Sequence, residues 1–312
     1  MAKMLAEELS LRDVIQAMRY IRNAMFTPVP PTGLKSTRTA EVLNYRATMA
    51  PIVTLGHLNV ILASPTKVER EIVELLGKGM VRKARVERRG NAGEALIETK
   101  DLEEMLKKAS GVSEVTRKEF MEFLKANPRA QTVSRTKLSH EQTDELVRAG
   151  FLTSSVRATP GTTLHVRPED RTTLTSIHHV SQFASGTVSA VGGQNAIHLA
   201  GGGGGAPTLR HGSGGNLDDE TGFRISVPGH GRYLKLAEGV VDWIREALSR
   251  TKWGEGPEEW LKERFEGGGL YGTRWKSFWG VEWEWAIGQA VGLGVVEVFN
   301  TRSVGRGVRA LG

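Results

Sequence analysis

The stretch SPTKVEREIVELLGKGMVRKARVERRGNAGEALIET, Ser64 to Thr99, carries the order of elements on which our prediction of the fold depends. It begins with a serine that can cap a helix and a proline that suits the first helical turn. Apolar residues then recur at helical spacing until Gly77. Residues 80–88 are typical of a strand, residues 90–93 of a turn and residues 94–99 of the partner strand. The stretch therefore predicts a helix followed by a β-hairpin.

The same order of elements recurs twice further along the chain. In the second copy, a helix that ends at Gly150 precedes a strand over residues 151–157, which we expect to pair with residues 163–167. In the third copy, a helix that ends at Val291 leads through two glycines to strands at 295–300 and 308–311. Helices followed by a hairpin are typical of the winged-helix variant of the helix-turn-helix. The predicted fold class is mainly α with small β-hairpins (α+β), arranged as three tandem winged-helix domains.

This repeat sets the predicted domain boundaries. The first winged-helix domain, with an N-terminal helix, spans residues 1–110, the second spans 111–190 and the third spans 222–312. The intervening residues 191–221 are dominated by glycine, with five in a row at Gly201 to Gly205. Such a segment buries too little apolar surface to fold, so we predict a flexible insertion. A phosphate-binding loop is the alternative interpretation, but the lysine and the following serine or threonine that it requires are missing.

The composition narrows the class of protein. A formal net charge of +7 over 312 residues is typical of proteins that bind nucleic acid or an anionic membrane surface. No uninterrupted apolar run approaches the roughly twenty residues of a membrane span, and we expect no membrane partner. Cysteine is absent, which excludes disulfides, thiolate zinc sites and cysteine nucleophiles and fits a reducing compartment. The N-terminal segment lacks a signal-peptide core, so we expect an intracellular protein.

Basic residues of the first copy cluster on its predicted helix and hairpin. The candidate nucleic-acid-binding residues there are Lys67, Arg70, Arg82, Lys83, Arg85, Arg88 and Arg89. Arginine at a hairpin tip suits phosphates or the minor groove. Positive charge on an edge strand also serves simply to prevent aggregation, and that interpretation stays open. The second copy offers fewer cations among more acidic residues, so we expect it to bind weakly or to pack.

A second basic stretch, VPGHGRYLKLAEGVVDWIREALSRTKW, runs from Val227 to Trp253 and joins a glycine turn to a long amphipathic helix. Arg232 and Lys235 lie at the helix start, where the helix dipole disfavours cations, and Arg250 and Lys252 lie at its end. Cations at the unfavourable end indicate a polyanion outside the fold, with a solvated face as the alternative. The candidate residues of the third copy are completed by Arg274 and Lys276.

The chain shows no pattern that predicts catalysis. No Walker lysine and no Gly-x-Ser-x-Gly elbow occurs, and the pairs His178 with His179 and His198 with His211 lack a carboxylate at ligand spacing. We therefore predict no catalytic residue, metal or cofactor, and no enzyme. All seven tryptophans lie in the third copy, as core or as a partner surface. Exposure of part of that surface would allow a homodimer.

Two stretches carry a family resemblance: VPGHGRYLK, Val227 to Lys235, with its helix to Trp253, and SPTKVEREIVELLGKGMVRKARV, Ser64 to Val86. They resemble the family historically named serine/threonine-protein kinase nineteen, and the chain looks like a fungal member. The resemblance covers most of the chain except the glycine-rich insertion and the first forty residues. It implies a nuclear protein of three winged helices that binds double-stranded DNA and also RNA. It further implies a role in transcription-coupled nucleotide excision repair, beside stalled RNA polymerase and repair factors.

The historical name implies a kinase, but the sequence lacks the glycine-rich loop over ATP, the strand lysine, the His-Arg-Asp loop and the Asp-Phe-Gly metal ligand. The family's basic positions carry over onto Arg232 and Lys235, and approximately onto Arg250 and Lys252. A further basic pair of the family falls near Gly267 to Gly269, so that contact is lost or moved to Arg274 and Lys276. The alternative function is a winged-helix protein-docking scaffold without DNA contact, and kinase activity is the least favoured.

Overall fold

The computed structural model describes residues 13–85, 94–134, 136–154, 222–301 and 305–311. In these ranges the chain is mainly helical with small sheets, so the predicted fold class is confirmed. The helices are α1 (Val14–Asn23), α2 (Ser36–Ala47), α3 (Leu55–Leu62), α4 (Pro65–Gly77), α5 (Thr99–Lys108), α6 (Glu114–Ala126), α7 (His140–Ala149), α8 (His230–Ser249), α9 (Glu258–Glu266), α10 (Thr273–Lys276) and α11 (Trp283–Gly292). The strands are β1 (Ile52–Thr54), β2 (Val81–Arg85), β3 (Glu94–Glu98), β4 (Thr132–Val133), β5 (Leu152–Ser154), β6 (Phe223–Ile225), β7 (Glu255–Pro257), β8 (Val296–Thr301) and β9 (Gly305–Ala310).

Three three-stranded sheets share one strand order, in which the last strand in sequence lies in the middle. The orders are β1-β3-β2, β4-β6-β5 and β7-β9-β8. A helix precedes the second strand of each sheet, namely α4, α7 and α11 in turn. The predicted repeat of helix, strand and strand is therefore present three times in the described chain. That each repeat is a separate winged-helix domain, with the boundaries given above, stays a prediction.

The described residues fall into two compact units. The larger unit comprises Met1–Gln131, His140–Leu152 and Ile225–Gly312, and the smaller unit comprises Thr132–Ser139 and Thr153–Arg224. The first and third sheets belong to the larger unit, as do all the sites described below.

The second sheet contains a strand, β6, that we did not predict. The predicted partner of β5, residues 163–167, lies outside the described residues, so that pairing stays a prediction. In the sheet, β6 lies beside β5 and pairs with β4, with Thr132 opposite Arg224 and Val133 opposite Phe223. The glycine-rich residues 191–221 therefore fall, in sequence, between two strands of one sheet. β6, which we had assigned to the start of the third domain, is part of the second sheet.

The other two hairpins lie close to their predicted positions. α4 begins at Pro65 as predicted, although the Ser64 side chain makes no capping hydrogen bond. In the third hairpin, Gly305 and Gly307, which lie between the two predicted strands, belong to β9. A Cβ on Gly307 would lie 2.7 Å from the ring of Phe299. This glycine therefore makes room for an aromatic side chain on the neighbouring strand.

The first and third sheets are joined through helices α3 and α11. A Cβ built on Gly56 of α3 would lie 2.1 Å from the carbonyl oxygen of Gly292 at the end of α11. The two backbones touch there because neither residue has a side chain. Helix α11 is largely buried, with Trp283, Ala286 and Ala290 at most 1% exposed. Of the two roles predicted for the tryptophans, core or partner surface, Trp283 therefore has the core role.

A buried polar cluster lies beside this helix contact. The Thr54 hydroxyl donates to Gln289 Oε1 at 3.0 Å, and His57 Nδ1 lies 3.2 Å from the same oxygen. All three side chains are buried. Burial lowers the pKa of His57 to about 4, and its hydrogen bond to Gln289 opposes that shift. His57 is therefore neutral in the folded chain at neutral pH.

We expect Gly56→Ala to lower the free energy of unfolding by about 2 kcal/mol or more, because the new methyl group meets backbone that cannot move aside. Gly231→Ala is the matched control, because nothing lies within 4 Å of a Cβ at that helical position. The control should be neutral or stabilising by about 0.5 kcal/mol. Denaturant unfolding of both variants measures the difference, and equal effects would show that α3 and α11 are not in backbone contact.

The low pKa of His57 makes stability depend on pH. In the unfolded chain the imidazole takes up a proton below its ordinary pKa of about 6.5, which the folded chain resists down to about pH 4. The free energy of unfolding should therefore fall as the pH drops through this window, by about 1 kcal/mol between pH 7.5 and 5.5. Denaturant unfolding across that range tests this for the wild-type chain. A His57→Gln variant with the same pH slope would contradict it.

Candidate nucleic-acid interface

The start of helix α8 presents two of the candidate cations. Gly229 precedes the helix with a φ of 78°, and a Cβ on it would lie 2.6 Å from the carbonyl oxygen of Thr48. The glycine thus lets the helix start pack against the loop before β1. Arg232 is exposed and donates through Nη1 to the Thr48 hydroxyl. Lys235, one turn later, is also exposed, and no ion pair joins it to another described residue.

The end of α8 presents a second pair of cations. With a rise of about 1.5 Å per residue, Arg250 lies about 27 Å along the axis from Arg232. Arg250 Nη2 donates to Glu246 Oε1 at 2.5 Å, and both side chains are well exposed. The Lys252 ammonium lies 4.9 Å from the ring centroid of Trp253. Exposed pairs of this kind contribute little to stability, so a phosphate can replace the partner.

The two cations of α10 have different surroundings. The side chain of Arg274 is 12% exposed and pairs with Glu266 at 3.2 Å and with Glu282 at 2.7 Å. Its charge is compensated inside the fold. Lys276, two residues later, is exposed. We expected the family's basic contact to be lost or moved to Arg274 and Lys276. Of these two, only Lys276 is exposed to solvent.

The segment that lacks the family's basic pair forms a tight turn. Gly268 has a φ of 81°, and a Cβ on Gly272 would lie 1.8 Å from the carbonyl oxygen of Gly267. The turn includes a single 3₁₀ turn, Gly269–Tyr271, that precedes α10. Glycine is required here because the backbone folds back onto itself.

The candidate cations of the first copy also differ in their surroundings. Lys67 and Arg70 are exposed on α4, and among the described residues neither has an ion-pair partner. Lys83 pairs with Glu94 at 2.8 Å. Arg88 and Arg89 lie outside the described residues, and only the backbone of Arg85 is described.

Arg82 is buried, although we predicted it as a nucleic-acid-binding residue. It is 5% exposed, and its guanidinium donates to the carbonyl oxygens of Leu124 and Asn127 at the end of α6. Burial lowers its pKa, and Glu103 opposes that shift. The cation therefore caps a helix C-terminus, where the dipole favours it, and is not offered to a ligand.

Two further arginines matter that the sequence analysis missed. Arg46 donates from Nε and Nη2 to the carbonyl oxygen of Trp279, at 3.0 and 2.6 Å, and from Nη1 to that of Thr27 at 2.7 Å. Burial lowers its pKa to about 10, with a smaller contribution from Arg274. Arg38 lies over the ring of Trp279, 4.4 Å from its centroid. These contacts attach α2 to the turn after α10 across more than 200 residues, which no local pattern could indicate.

A family model described as inactive serine-threonine protein kinase 19 matches residues 22–310. The chain belongs to this family. Both stretches that carry the resemblance lie inside the match, so the predicted family is confirmed, while a fungal origin stays a prediction. No curated protein matches the chain. The description of the family as an inactive kinase is consistent with our prediction that the chain is not an enzyme.

In this family member the candidate cations thus form two groups. Arg82 and Arg274 are enclosed and bonded within the fold, and Lys83 pairs with a carboxylate on the neighbouring strand. The exposed candidates are Lys67, Arg70, Arg232, Lys235, Arg250, Lys252 and Lys276. The exposed group is suited to holding phosphates by charge.

No group of three or more histidine, aspartate or glutamate side chains that could hold a metal ion occurs among the described residues. The two histidine pairs considered above lie outside those residues. No helix in the described part of the chain is long and apolar enough to cross a membrane.

We expect the two cations of α10 to respond differently to neutralisation. Arg274→Gln should lower the free energy of unfolding by about 2 kcal/mol, because it leaves two partly buried carboxylates without their charged partner. Lys276→Gln should change it by less than about 0.5 kcal/mol. Thermal or denaturant unfolding of the two variants provides the comparison. Equal stability losses would mean that Arg274 is not held between Glu266 and Glu282.

Proposed function

We propose that the chain is a non-enzymatic protein that binds double-stranded DNA, and RNA as a further ligand, through the phosphate backbone. The observation that carries this proposal is the start of α8. Arg232 and Lys235 are exposed there, and the first turn contains no acidic residue. The helix dipole adds positive potential at the same place. A positive site of this kind costs stability in the free protein and is favourable once an anion binds.

The two ends of α8 suit the spacing of a nucleic-acid strand. The roughly 27 Å between Arg232 and Arg250 corresponds to about eight nucleotide steps along one strand of a duplex. The exposed residues between the two ends include Asp242 and Glu246 with one cation, Arg245, so this part of the helix is net negative. Phosphate contacts are therefore expected at the two ends of the helix and not along its whole length.

Low sequence specificity follows from this mode of binding. Contacts from lysine and arginine to phosphate position a protein on the duplex but carry no information about the bases. On α4, the exposed Lys67 and Arg70 flank an exposed glutamate, Glu69. Helix α11, which precedes the third hairpin, is largely buried and offers little surface to a groove. A dedicated set of base-reading side chains is thus not expected.

The cellular role is proposed from the family. Membership of the inactive kinase 19 family and the exposed cations together support a nuclear, chromatin-associated protein of DNA damage repair. The pathway proposed is transcription-coupled nucleotide excision repair, with stalled RNA polymerase and repair factors as partners. A homodimer would be a further assembly, with the exposed Trp253 as part of its surface.

The charge-reversal variant Arg232→Glu with Lys235→Glu tests the proposal. We expect the affinity for two duplexes of unrelated sequence to fall equally, by about tenfold or more. The slope of log K against log salt should become shallower by about 1.8, since each phosphate contact contributes about 0.9. Fluorescence anisotropy of labelled duplexes over a salt series measures both quantities.

The matched control is Lys118→Glu with Lys125→Glu, which changes the net charge equally on the exposed surface of α6. This variant should keep most of the duplex affinity. An unchanged affinity in the folded Arg232 and Lys235 variant, or an equal loss in the control, would contradict a binding site at the start of α8.

The alternative function is a protein-docking scaffold, and one observation favours it. Val73 and Met80 are 57% and 47% exposed. Val73 also lines a cavity of about 260 Å³ with Leu76 and Ile97, between α4 and the first sheet. If the wild-type chain fails to bind any duplex at low salt, and partner binding survives charge reversal, the scaffold is the better description.

A further inference from the structure

A groove of about 450 Å³ lies between the segment before α2 and the 3₁₀ turn Gly269–Tyr271. Gly33 brings its two walls together. It has a φ of 98°, and a Cβ on it would lie 2.6 Å from Leu270 Cδ1. The volume falls within the range of roughly 300–1,000 Å³ that is typical of ligand sites.

The groove combines an exposed aromatic ring with exposed cations. Tyr271 is 79% exposed, more than any other large apolar side chain in the described chain. Lys35 and Lys276 lie on the two walls of the groove and are exposed. Within the described ranges, neither lysine has an ion-pair partner. Exposed aromatic surface and uncompensated positive charge thus occur together.

The walls of the groove are held in place by other contacts. Arg38 donates from Nη2 to the carbonyl oxygens of Trp275 and Lys276, at 2.9 and 3.1 Å, and from Nη1 to Glu41 at 2.9 Å. Arg38 therefore positions the backbone that carries Lys276. The glycine turn from Gly267 to Gly272 fixes the backbone of Tyr271. A ligand would meet a preformed site.

We propose that this groove binds an unpaired segment of nucleic acid, with a base stacked on Tyr271 and the flanking phosphates held by Lys35 and Lys276. The inference rests on the proposed function and extends it from paired to unpaired strands. Proteins that bind single strands combine aromatic rings that stack on bases with cations along the backbone. In a fully paired duplex the faces of internal bases are covered by their neighbours. Phosphate binding to such a duplex would therefore leave the exposed ring of Tyr271 without a role.

The experiment compares a fully paired duplex with the same duplex carrying a central unpaired bubble that contains 2-aminopurine. The wild-type chain should bind the bubble at least about fivefold more tightly, as expected for stacking of one base. Its complex should also show lower 2-aminopurine fluorescence than the complex of Tyr271→Ala. Tyr271→Ala should lose the preference for the bubble while keeping the affinity for the paired duplex.

Two further variants separate stacking from charge. Tyr271→Phe should retain both the preference and the fluorescence difference, because the ring is kept. Lys35→Gln with Lys276→Gln should reduce the salt slope for a single strand by about 1.4, since each single-strand contact contributes roughly 0.7. Single-stranded DNA and RNA of one sequence, bound by the wild-type chain, identify which source of unpaired nucleotides the groove prefers.

The outcomes distinguish this inference from the proposed function. Equal affinities of the wild-type chain for bubble and paired duplex, with no effect of Tyr271→Ala on any nucleic acid, would overturn the groove as a nucleic-acid site. Duplex binding would then stand on its own. Failure of the wild-type chain to bind either the duplex or the bubble at low salt would overturn both.

Discussion

The backbone contact between Gly56 and Gly292 determines which surfaces of the larger unit remain exposed to ligands. Because α3 and α11 touch there, α11, the helix before the third hairpin, is largely buried. In a winged helix that binds DNA, the corresponding helix is exposed and enters a groove. The contact between α3 and α11 continues at Gly288, where a Cβ would lie 2.5 Å from His57 Nε2. Side chains at these glycine positions would clash with the facing helix. Surface chemistry in the third repeat is consequently left to α8 and to the turns around α10.

Burial decides which arginines support the fold and which are available to ligands. A guanidinium removed from water is costly unless its donors are bonded. Arg46 meets this condition, because all three of its guanidinium nitrogens donate to backbone carbonyl oxygens. Arg82 and Arg274 meet it in part, through backbone carbonyl oxygens and through two carboxylates respectively, while the Nε of each has no partner in the described chain. Arg232 keeps its head in solvent with a single hydroxyl partner. Arginine thus stabilises the fold through internal hydrogen bonds at some positions and provides exposed positive charge for an anion at others.

Local signals allowed much of the fold to be predicted. The sequence predicted the start of α4 from its proline and its end from the glycines that follow. It also predicted the first and third hairpins, because each of these features depends on nearby residues. The place of β6 was not visible, since three residues of Phe223–Ile225 carry too short a pattern and their partner β4 lies about 90 positions earlier. The burial of Arg82 and Arg274 depends on contacts across the fold. Charge alone predicted them as ligand residues, while exposure separates them from Lys67 and Lys235.

The position of β6 also bears on how the chain folds during synthesis. Its neighbours β4 and β5 leave the ribosome first, and β6 follows β5 by about 70 residues. Until then, the facing N–H and C=O groups of both outer strands lack the central strand that satisfies them. The second sheet therefore cannot close until β6 has been synthesised, whatever the chain between β5 and β6 does in the meantime.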